Sequence, residues 1–145
     1  MQKMIIRTEA NWTADSRGLA HAAEKPPIEF SMPPEFHGPE GVWNPEDLFV
    51  SAIETCLMLT CLARLRSHKL EWVGYKSHAI ATLENGPDGT AFTRVDVYFR
   101  IDVSEEAEKV LELVKTAHHH CPVARSLAFK VDLHPEVVQV ARLHR

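Results

Sequence analysis

The chain has 145 residues, of which 45% are hydrophobic and 25% charged, and its net charge is −4. This length and composition predict one soluble domain, 1–145, with a single core. No broad basic stripe is visible, which argues against a nucleic-acid partner. Residues 1–7 lack the apolar run of a signal peptide, and the longest apolar stretch, 48–63, is short for a membrane span and carries Glu54. We therefore expect a cytoplasmic protein without a membrane partner.

The first third of the chain predicts short strands and a loop. Residues 2–12 are expected to form a strand, residues 15–18 a turn, and residues 19–23 and 28–32 two further extended segments. Residues 33–43 contain three prolines and two glycines. These residues interrupt regular structure, so a loop is predicted there.

A long helix follows the predicted loop. Asn44 is a favourable N-cap, Pro45 suits the first helical position, and the acidic Glu46 and Asp47 complement the helix dipole. The helix should run to about Ser67, and its residues are apolar on most faces. A helix with so little polar surface must be buried on several sides, by a sheet, by a partner subunit or by both.

A hairpin is predicted after this helix. Residues 71–84 and 90–102 are expected to be strands joined by a turn at 85–89, because apolar and polar residues alternate with period two in the second segment.

The last third of the chain predicts two helices and a strand. Ser104 would cap a helix running to about residue 117, and a short helix would begin at Cys121. A final strand would cover 129–134, followed by a basic tail, 136–145, that is either helical or frayed. Together these elements predict an α+β fold with helices packed on a sheet.

The chain contains three cysteines, Cys56, Cys61 and Cys121. An odd number, in a chain long enough to fold without disulfides, favours reactive or buried thiols over a disulfide framework. A thiol reacts as its thiolate, so a working cysteine needs a lowered pKa. Cys121 has a local reason for one, because it precedes Pro122 as the predicted N-cap of a helix and lies four residues before Arg125.

Cys56 and Cys61 lie within the long helix. Burial in that apolar setting disfavours a thiolate at Cys56, so reactivity there would need a cation from elsewhere in the protein. Cys61 lies five residues further, about 140° around a regular helix, so we expect it to be structural. From the residues alone, reactive and structural roles stay equally open for Cys121, and a structural role is favoured for Cys56.

Three histidines, His118, His119 and His120, precede Cys121. Together with this cysteine they form a run of four consecutive potential metal ligands. Consecutive side chains point in different directions, and no second pair at metal-binding spacing supports them. We therefore expect no metal site, and a zinc-dependent hydrolase is kept only as a third hypothesis.

Two sequence motifs each contain a cysteine, and these two cysteines are 65 residues apart. The first, at 44–56, reads NPEDLFVSAIETC, and the second, at 120–127, reads HCPVARSL. They resemble the NPE-x-L-x(7)-C and CP[VY]S motifs of the OsmC/Ohr family of peroxide-reducing proteins, with Ala124 replacing the serine. The resemblance covers nearly the whole chain. It implies an OsmC-like fold with antiparallel sheets and a long buried helix, in an intertwined homodimer with its sites at the subunit interface.

The resemblance also implies a thiol-dependent peroxidase without a bound cofactor. Cys56 would attack an organic hydroperoxide, or hydrogen peroxide, and become a sulfenic acid. Cys121 would condense with it to a disulfide, which an external thiol or dithiol reduces. Glu46 matches the family's glutamate by motif position, and Arg17 is the best match for its arginine. Arg17 would supply the cation that Cys56 lacks, and Glu46 would hold the guanidinium.

The distance between Glu46 and Cys56 constrains this site. Ten residues span about 15 Å along a straight helix, so either an arginine bridges the gap or a second subunit completes the site. Four apolar side chains could line a pocket favouring organic hydroperoxides: Phe36, Trp43, Phe49 and Met58. The alternative function is a non-enzymatic, dimeric OsmC-like protein that binds a small ligand or senses oxidants.

Overall fold

A computed structural model describes residues 2–141 of the chain. Contacts divide the chain into two compact units, Met1–Phe49 and Val50–Arg145, and the boundary falls inside the long helix. The single domain expected over 1–145 stays a prediction. Each unit contains one three-stranded sheet, and the helices accompany these sheets in the predicted α+β fold.

The first unit contains an antiparallel sheet of three short strands, β1 (Glu9–Ala14), β2 (Arg17–His21) and β3 (Ile28–Ser31), in the order β1-β2-β3. The strand predicted for 2–12 begins only at Glu9, and residues 2–8 have no regular structure. The turn predicted at 15–18 is shorter, because β2 already begins at Arg17. These shifts place Arg17 on a strand rather than in a turn.

The predicted loop at 33–43 is confirmed, apart from one 3₁₀ turn, Pro34–Phe36. Its end is held against β3, since the Ser31 N–H donates to the Trp43 carbonyl at 2.9 Å. This bond leads the chain into the long helix.

The long helix, α1 (Pro45–Ser67), has the predicted bounds. Its first turn is capped as predicted, because Asn44 Oδ1 accepts a hydrogen bond from the Asp47 N–H at 2.8 Å. Its buried residues follow a helical repeat and form one stripe: Ile53, Leu57, Cys61 and Leu65. By contrast, the Leu59 residue is 61% exposed. The chain itself therefore covers one face of this apolar helix.

By length and composition, α1 is long and apolar enough to cross a membrane, contrary to the expectation from the shorter stretch at 48–63. Core helices of soluble proteins meet the same criterion. The completely buried stripe that includes Leu57 and Leu65 is what packing on a protein core produces.

The second unit contains a mixed sheet, in the order β4-β5-β6. The strands β4 (Gly74–Gly86) and β5 (Gly89–Val103) form the predicted antiparallel hairpin. The third strand, β6 (Lys130–Gln139), pairs with β5 in parallel. The first sheet is antiparallel, as expected, whereas the second is mixed, because the helices between β5 and β6 carry the chain back before it rejoins the sheet.

The end of β6 also differs from the prediction. The strand continues to Gln139, so residues 136–139 belong to the sheet rather than to a helical or frayed tail. Residues 142–145 of the predicted tail lie outside the described residues.

Two short helices connect β5 to β6. The first, α2 (Ala107–Val114), has Glu106 at its N-cap, in a left-handed conformation with φ 59° and without a side-chain cap. The predicted cap at Ser104 was wrong, because Ser104 still belongs to the sheet margin, where its carbonyl accepts a hydrogen bond from Gln139 Nε2 at 3.2 Å. The second, α3 (Pro122–Arg125), begins where it was predicted.

The core of the second unit lies on one face of its sheet. Alternate residues of β5 are buried there, as the period-two pattern predicted: Val95, Val97, Phe99, Ile101 and Val103. Tyr75 and Ser77 of β4 pair with Ile101 and Phe99, which places them on the same face. Both side chains interact with α1, and these interactions bring β4 to the middle of that helix.

Candidate active site

Two of the predicted site residues meet in the second unit. Cys56 lies in the middle of α1, and Cys121 lies at the N-cap of α3. Their thiols are free and adjacent, so that Cys56 acts on the pKa of Cys121. Packing therefore brings together two cysteines that are 65 residues apart in the sequence.

The three thiols differ in exposure. Cys56 is half-buried, whereas Cys61 and Cys121 are completely buried. A molecule arriving from solvent therefore meets Cys56 first and finds Cys121 behind it.

The thiol of Cys121 is not activated by its place at a helix start. Burial raises its pKa, and the hydrogen bond with Cys56 raises it further. The N–H groups of Ala124 and Val123 act in the opposite direction but do not compensate. The lowered pKa expected from local sequence is therefore absent, because α3 has four residues and desolvation outweighs its few free donors.

Cys61 lies on the buried face of α1. Burial raises the pKa of its thiol to about 12, and the neighbouring Cys121 adds to the effect, while contact with Tyr75 and the charge of Arg64 oppose it. Cys61 therefore stays a neutral thiol, which supports the structural role expected for it.

Tyr75 was not found by sequence reasoning. Its hydroxyl is buried, touches the Cys61 thiol and has no well-formed hydrogen bond within residues 2–141. The sulfur is a weak partner, so we regard this contact as packing rather than as a full hydrogen bond. Burial raises the pKa of Tyr75, and its ring stacks on Phe99 with centroids 5.7 Å apart. No local signal could have revealed a contact that requires β4 to lie against α1.

A second polar contact joins α1 to β4. The Ser77 hydroxyl donates a hydrogen bond to the Glu54 carboxylate, and the charge of Glu54 also acts on Tyr75. Glu54 is therefore a polar residue on the side of α1 that faces the sheet, next to the buried apolar stripe. This contact fixes the position of the helix turn that leads to Cys56.

The other two predicted site residues lie in the first unit. The Arg17 guanidinium forms an ion pair with Glu29 across β2 and β3, at 3.0 Å between Nη1 and Oε1. The Oε2 atom of Glu46 is buried and has no hydrogen-bond partner among residues 2–141. The first unit thus pairs Arg17 with Glu29, a contact that sequence reasoning missed. The catalytic roles assigned to Arg17 and Glu46 stay predictions.

The predicted pocket residues lie in both units. Phe36 and Trp43 are about half exposed in the first unit, at 47% and 52%, and Phe49 is half-buried. Met58 is half-buried on α1 in the second unit. Their role in a substrate pocket stays a prediction.

The histidine run does not form a ligand cluster in the structure. The rings of His118 and His119 lie against each other with centroids 4.0 Å apart, and His120 is exposed. Within residues 2–141, no group of three His, Cys, Asp or Glu side chains is arranged to hold a metal ion.

The model of the OsmC-like protein family matches residues 38–136, which include both cysteine motifs. The chain belongs to this family. No curated protein sequence matches the chain significantly.

Solved structures share the fold at low sequence identity. An OsmC-like protein of unknown function from Vibrio cholerae has a TM-score of 0.83 at 18% identity, over 92% of this chain and 99% of that chain. An organic hydroperoxide resistance protein OsmC from Legionella pneumophila has a TM-score of 0.76 at 20% identity, over 95% of this chain and 99% of that chain. The organic hydroperoxide resistance protein OhrB of Bacillus subtilis has a TM-score of 0.66 at 19% identity, over 92% of this chain and 98% of that chain. These similarities establish an OsmC-like fold.

Replacing Cys61 by alanine should reduce the loss of stability at alkaline pH. The pKa of this thiol is about 12 in the folded chain, against 9.0 for an ordinary thiol. Its contribution to stability is complete below pH 9 and is lost as the pH rises towards 12, by up to about 1.4 kcal/mol per pH unit. The free energy of unfolding of reduced protein, measured with urea, should therefore fall less steeply above about pH 9 in Cys61→Ala than in the wild type. Parallel curves would contradict this.

Proposed function

We propose that the protein is a thiol-dependent peroxidase that reduces organic hydroperoxides through Cys56 and Cys121. The observation that carries the proposal is the contact between a half-buried thiol and a completely buried one. This arrangement suits a pair in which one sulfur meets the oxidant and the other closes a disulfide. The organic hydroperoxide resistance proteins from Legionella pneumophila and Bacillus subtilis, which share the fold, support the same substrate class.

The reaction has three steps: reduction of the peroxide, formation of a disulfide and reduction of that disulfide. The Cys56 thiolate attacks the outer oxygen of ROOH, the O–O bond breaks, and the products are a Cys56 sulfenic acid and ROH after protonation. The Cys121 thiol then attacks the Cys56 sulfur, forming the disulfide and releasing water. Two external thiols, or one dithiol, reduce the disulfide and are themselves oxidised. The protein needs no bound cofactor for these steps.

The electrostatics of the pair support this order of events. Because burial and the neighbouring Cys56 raise the pKa of Cys121, that thiol stays protonated and withdrawn from solvent. It is a poor first nucleophile and a well-placed second one, since oxidation of Cys56 creates an electrophilic sulfur in contact with it. Local sequence alone favoured the opposite order.

Arg17 and Glu46 would prepare Cys56. The ion pair between Arg17 and Glu29 joins side chains that are 39% and 55% exposed, so it contributes no more than about 1 kcal/mol. The buried Oε2 of Glu46, which has no hydrogen-bond partner among the described residues, gains more from a guanidinium. Arg17 would therefore exchange Glu29 for Glu46 and present its remaining donors to the thiolate and the peroxide oxygens.

The proposal includes a homodimer. The face of α1 that carries Leu59 is open to solvent, and further large apolar side chains are exposed, including Ile6, Trp12 and Val73. A second copy of the chain would cover the exposed face of α1 and other apolar side chains of this kind, and would complete a site at the interface. Apolar side chains such as Phe36, Trp43 and Met58 would then favour an alkyl or aryl hydroperoxide over hydrogen peroxide, because burial of the organic group adds binding.

Replacing Cys56 by serine should abolish turnover of cumene hydroperoxide. With dithiothreitol as reductant, peroxide consumption should fall by at least about a hundredfold, because the attacking sulfur is lost. Cys61→Ser is the matched control, since it changes a cysteine of the same helix that takes no part in the proposed steps, and it should keep activity within about threefold. Equal activity of Cys56→Ser and the wild type would refute the proposal.

Replacing Cys121 by serine should change the product of a single oxidation. One equivalent of peroxide should lower the intact mass of the wild-type chain by about 2 Da, which is the loss of two hydrogens to a disulfide. In Cys121→Ser the mass should instead rise by about 16 Da, as expected for a trapped sulfenic acid. The same product in both proteins would exclude Cys121 as the resolving residue. Disulfide formation without turnover would favour the oxidant-sensing alternative.

Replacing Arg17 by glutamine should slow the chemistry of Cys56 without unfolding the protein. Loss of the guanidinium should reduce the rate of alkylation of Cys56 by iodoacetamide near neutral pH by about tenfold. Arg17→Lys should restore part of this rate, because it keeps the charge but not the planar donors. Arg100→Gln, on β5, is the control and should react like the wild type. If Arg17→Gln and this control react with iodoacetamide at the same rate, Arg17 does not belong to the site.

A further inference from the structure

A second candidate site lies in a cleft of the second unit. The end of α2, the 3₁₀ turn Ala117–His119, α3 and the start of β6 enclose a volume of about 430 Å³. We name it the cationic cleft, after the charged residues that line it: Lys115, Arg125, Lys130 and Asp132. The peroxidase mechanism proposed above uses none of these side chains.

The charges of the cationic cleft oppose those of the whole chain. Three cations, Lys115, Arg125 and Lys130, and one carboxylate, Asp132, line the cleft in a chain of net charge −4. Lys115 is held by Glu112 at 2.6 Å, so Arg125 and Lys130 are the cations left to face a ligand. Asp132 is already engaged, because Arg94 lies 2.9 Å and Lys130 3.2 Å from its oxygens. An excess of positive charge of this kind attracts an anion.

Arg125 provides the most specific donor in the cleft. It belongs to α3, and no carboxylate within residues 2–141 forms an ion pair with it. A guanidinium offers a planar fork of N–H donors that matches two oxygens of a phosphate group. This geometry favours a phosphate over a single-point anion.

His118 adds a polar group that lacks a partner. Its Nδ1 atom is buried, and no residue among 2–141 forms a hydrogen bond with it. Burial and the adjacent His119 lower the pKa of His118, so its ring is neutral and can donate one hydrogen bond without adding charge. Buried polar atoms are nearly always satisfied, and a turn of the ring towards the cleft would let an oxygen of a bound ligand satisfy this one.

Apolar side chains complete the wall of the cleft. Phe129, Val131 and Leu133 line it beside the cations. The volume and the mixed lining are typical of a site for a small molecule with a charged end and an apolar body. We propose that the cationic cleft binds a phosphate monoester, with its phosphate at Arg125 and Lys130 and its organic group against Phe129. A phosphate monoester carries close to two negative charges near neutral pH, which Arg125 and Lys130 would attract.

This proposal is independent of the peroxidase. Binding is measured without peroxide or reductant, and Cys56→Ser should bind as the wild type does. The two proposals can therefore fail separately.

Isothermal titration with phenyl phosphate tests the cleft. We expect saturable binding of one molecule per chain, with a Kd of about 1 mM or tighter. Phenol, which keeps the ring but not the charge, should not bind, and inorganic phosphate should bind more weakly because it lacks the apolar body. Arg125→Gln and Lys130→Gln should each weaken binding by about tenfold. Lys76→Gln removes one cation from β4, outside the cleft, and should leave the Kd unchanged.

Three results would overturn the proposal. The first is a lack of saturation up to about 20 mM phenyl phosphate. The second is an equal loss of affinity in Lys76→Gln and Arg125→Gln, which would indicate attraction to general surface charge. The third is equal affinity for inorganic phosphate, which would remove the organic part of the assignment. Circular dichroism verifies folding, and Lys130→Gln on β6 provides a second measurement should Arg125→Gln disturb α3.

Discussion

Burial of one stripe of α1 is the interaction on which the candidate site depends. Leu57, Cys61 and Leu65 are completely buried, and this stripe sets the rotation of the helix about its axis. That rotation leaves Cys56 half-buried and next to Cys121. A change in the stripe would move the first thiol either into the core or fully into solvent. Packing of a helix thus determines which sulfur a molecule from solvent can meet.

The two cysteines illustrate a competition between a helix terminus and desolvation. Cys121 occupies the N-cap of α3, a position that favours a thiolate when it is open to solvent. Complete burial and the neighbouring Cys56 prevail instead and raise its pKa. The same effect is larger for Cys61, which lacks free N–H donors in the middle of α1. An environment that protects a thiol from ionising suits the second role that the proposed reaction gives to Cys121.

Two buried polar atoms without partners enter the two proposals made for this chain. Glu46 Oε2 and His118 Nδ1 are both buried without a hydrogen bond from the described residues. For Glu46, a guanidinium is the natural complement, and the peroxidase proposal supplies one. For His118, the neighbouring cations indicate a phosphate oxygen. Both assignments follow from the cost of leaving a polar atom buried and unpaired.

The sequence by itself determined the features that act within a few residues. Asn44 and Pro45 determined the start of α1, alternation determined the buried face of β5, and Pro122 determined the start of α3. The two cysteine motifs were sufficient to identify the family, which the match over 38–136 confirmed. Only the tertiary structure decided the parallel pairing of β6, the loss of the Ser104 cap, the contact of Cys56 with Cys121 and the raised pKa of the latter. Caps and periodicity depend on neighbours along the chain, whereas desolvation and strand pairing depend on residues that are distant in sequence and meet only in the folded protein.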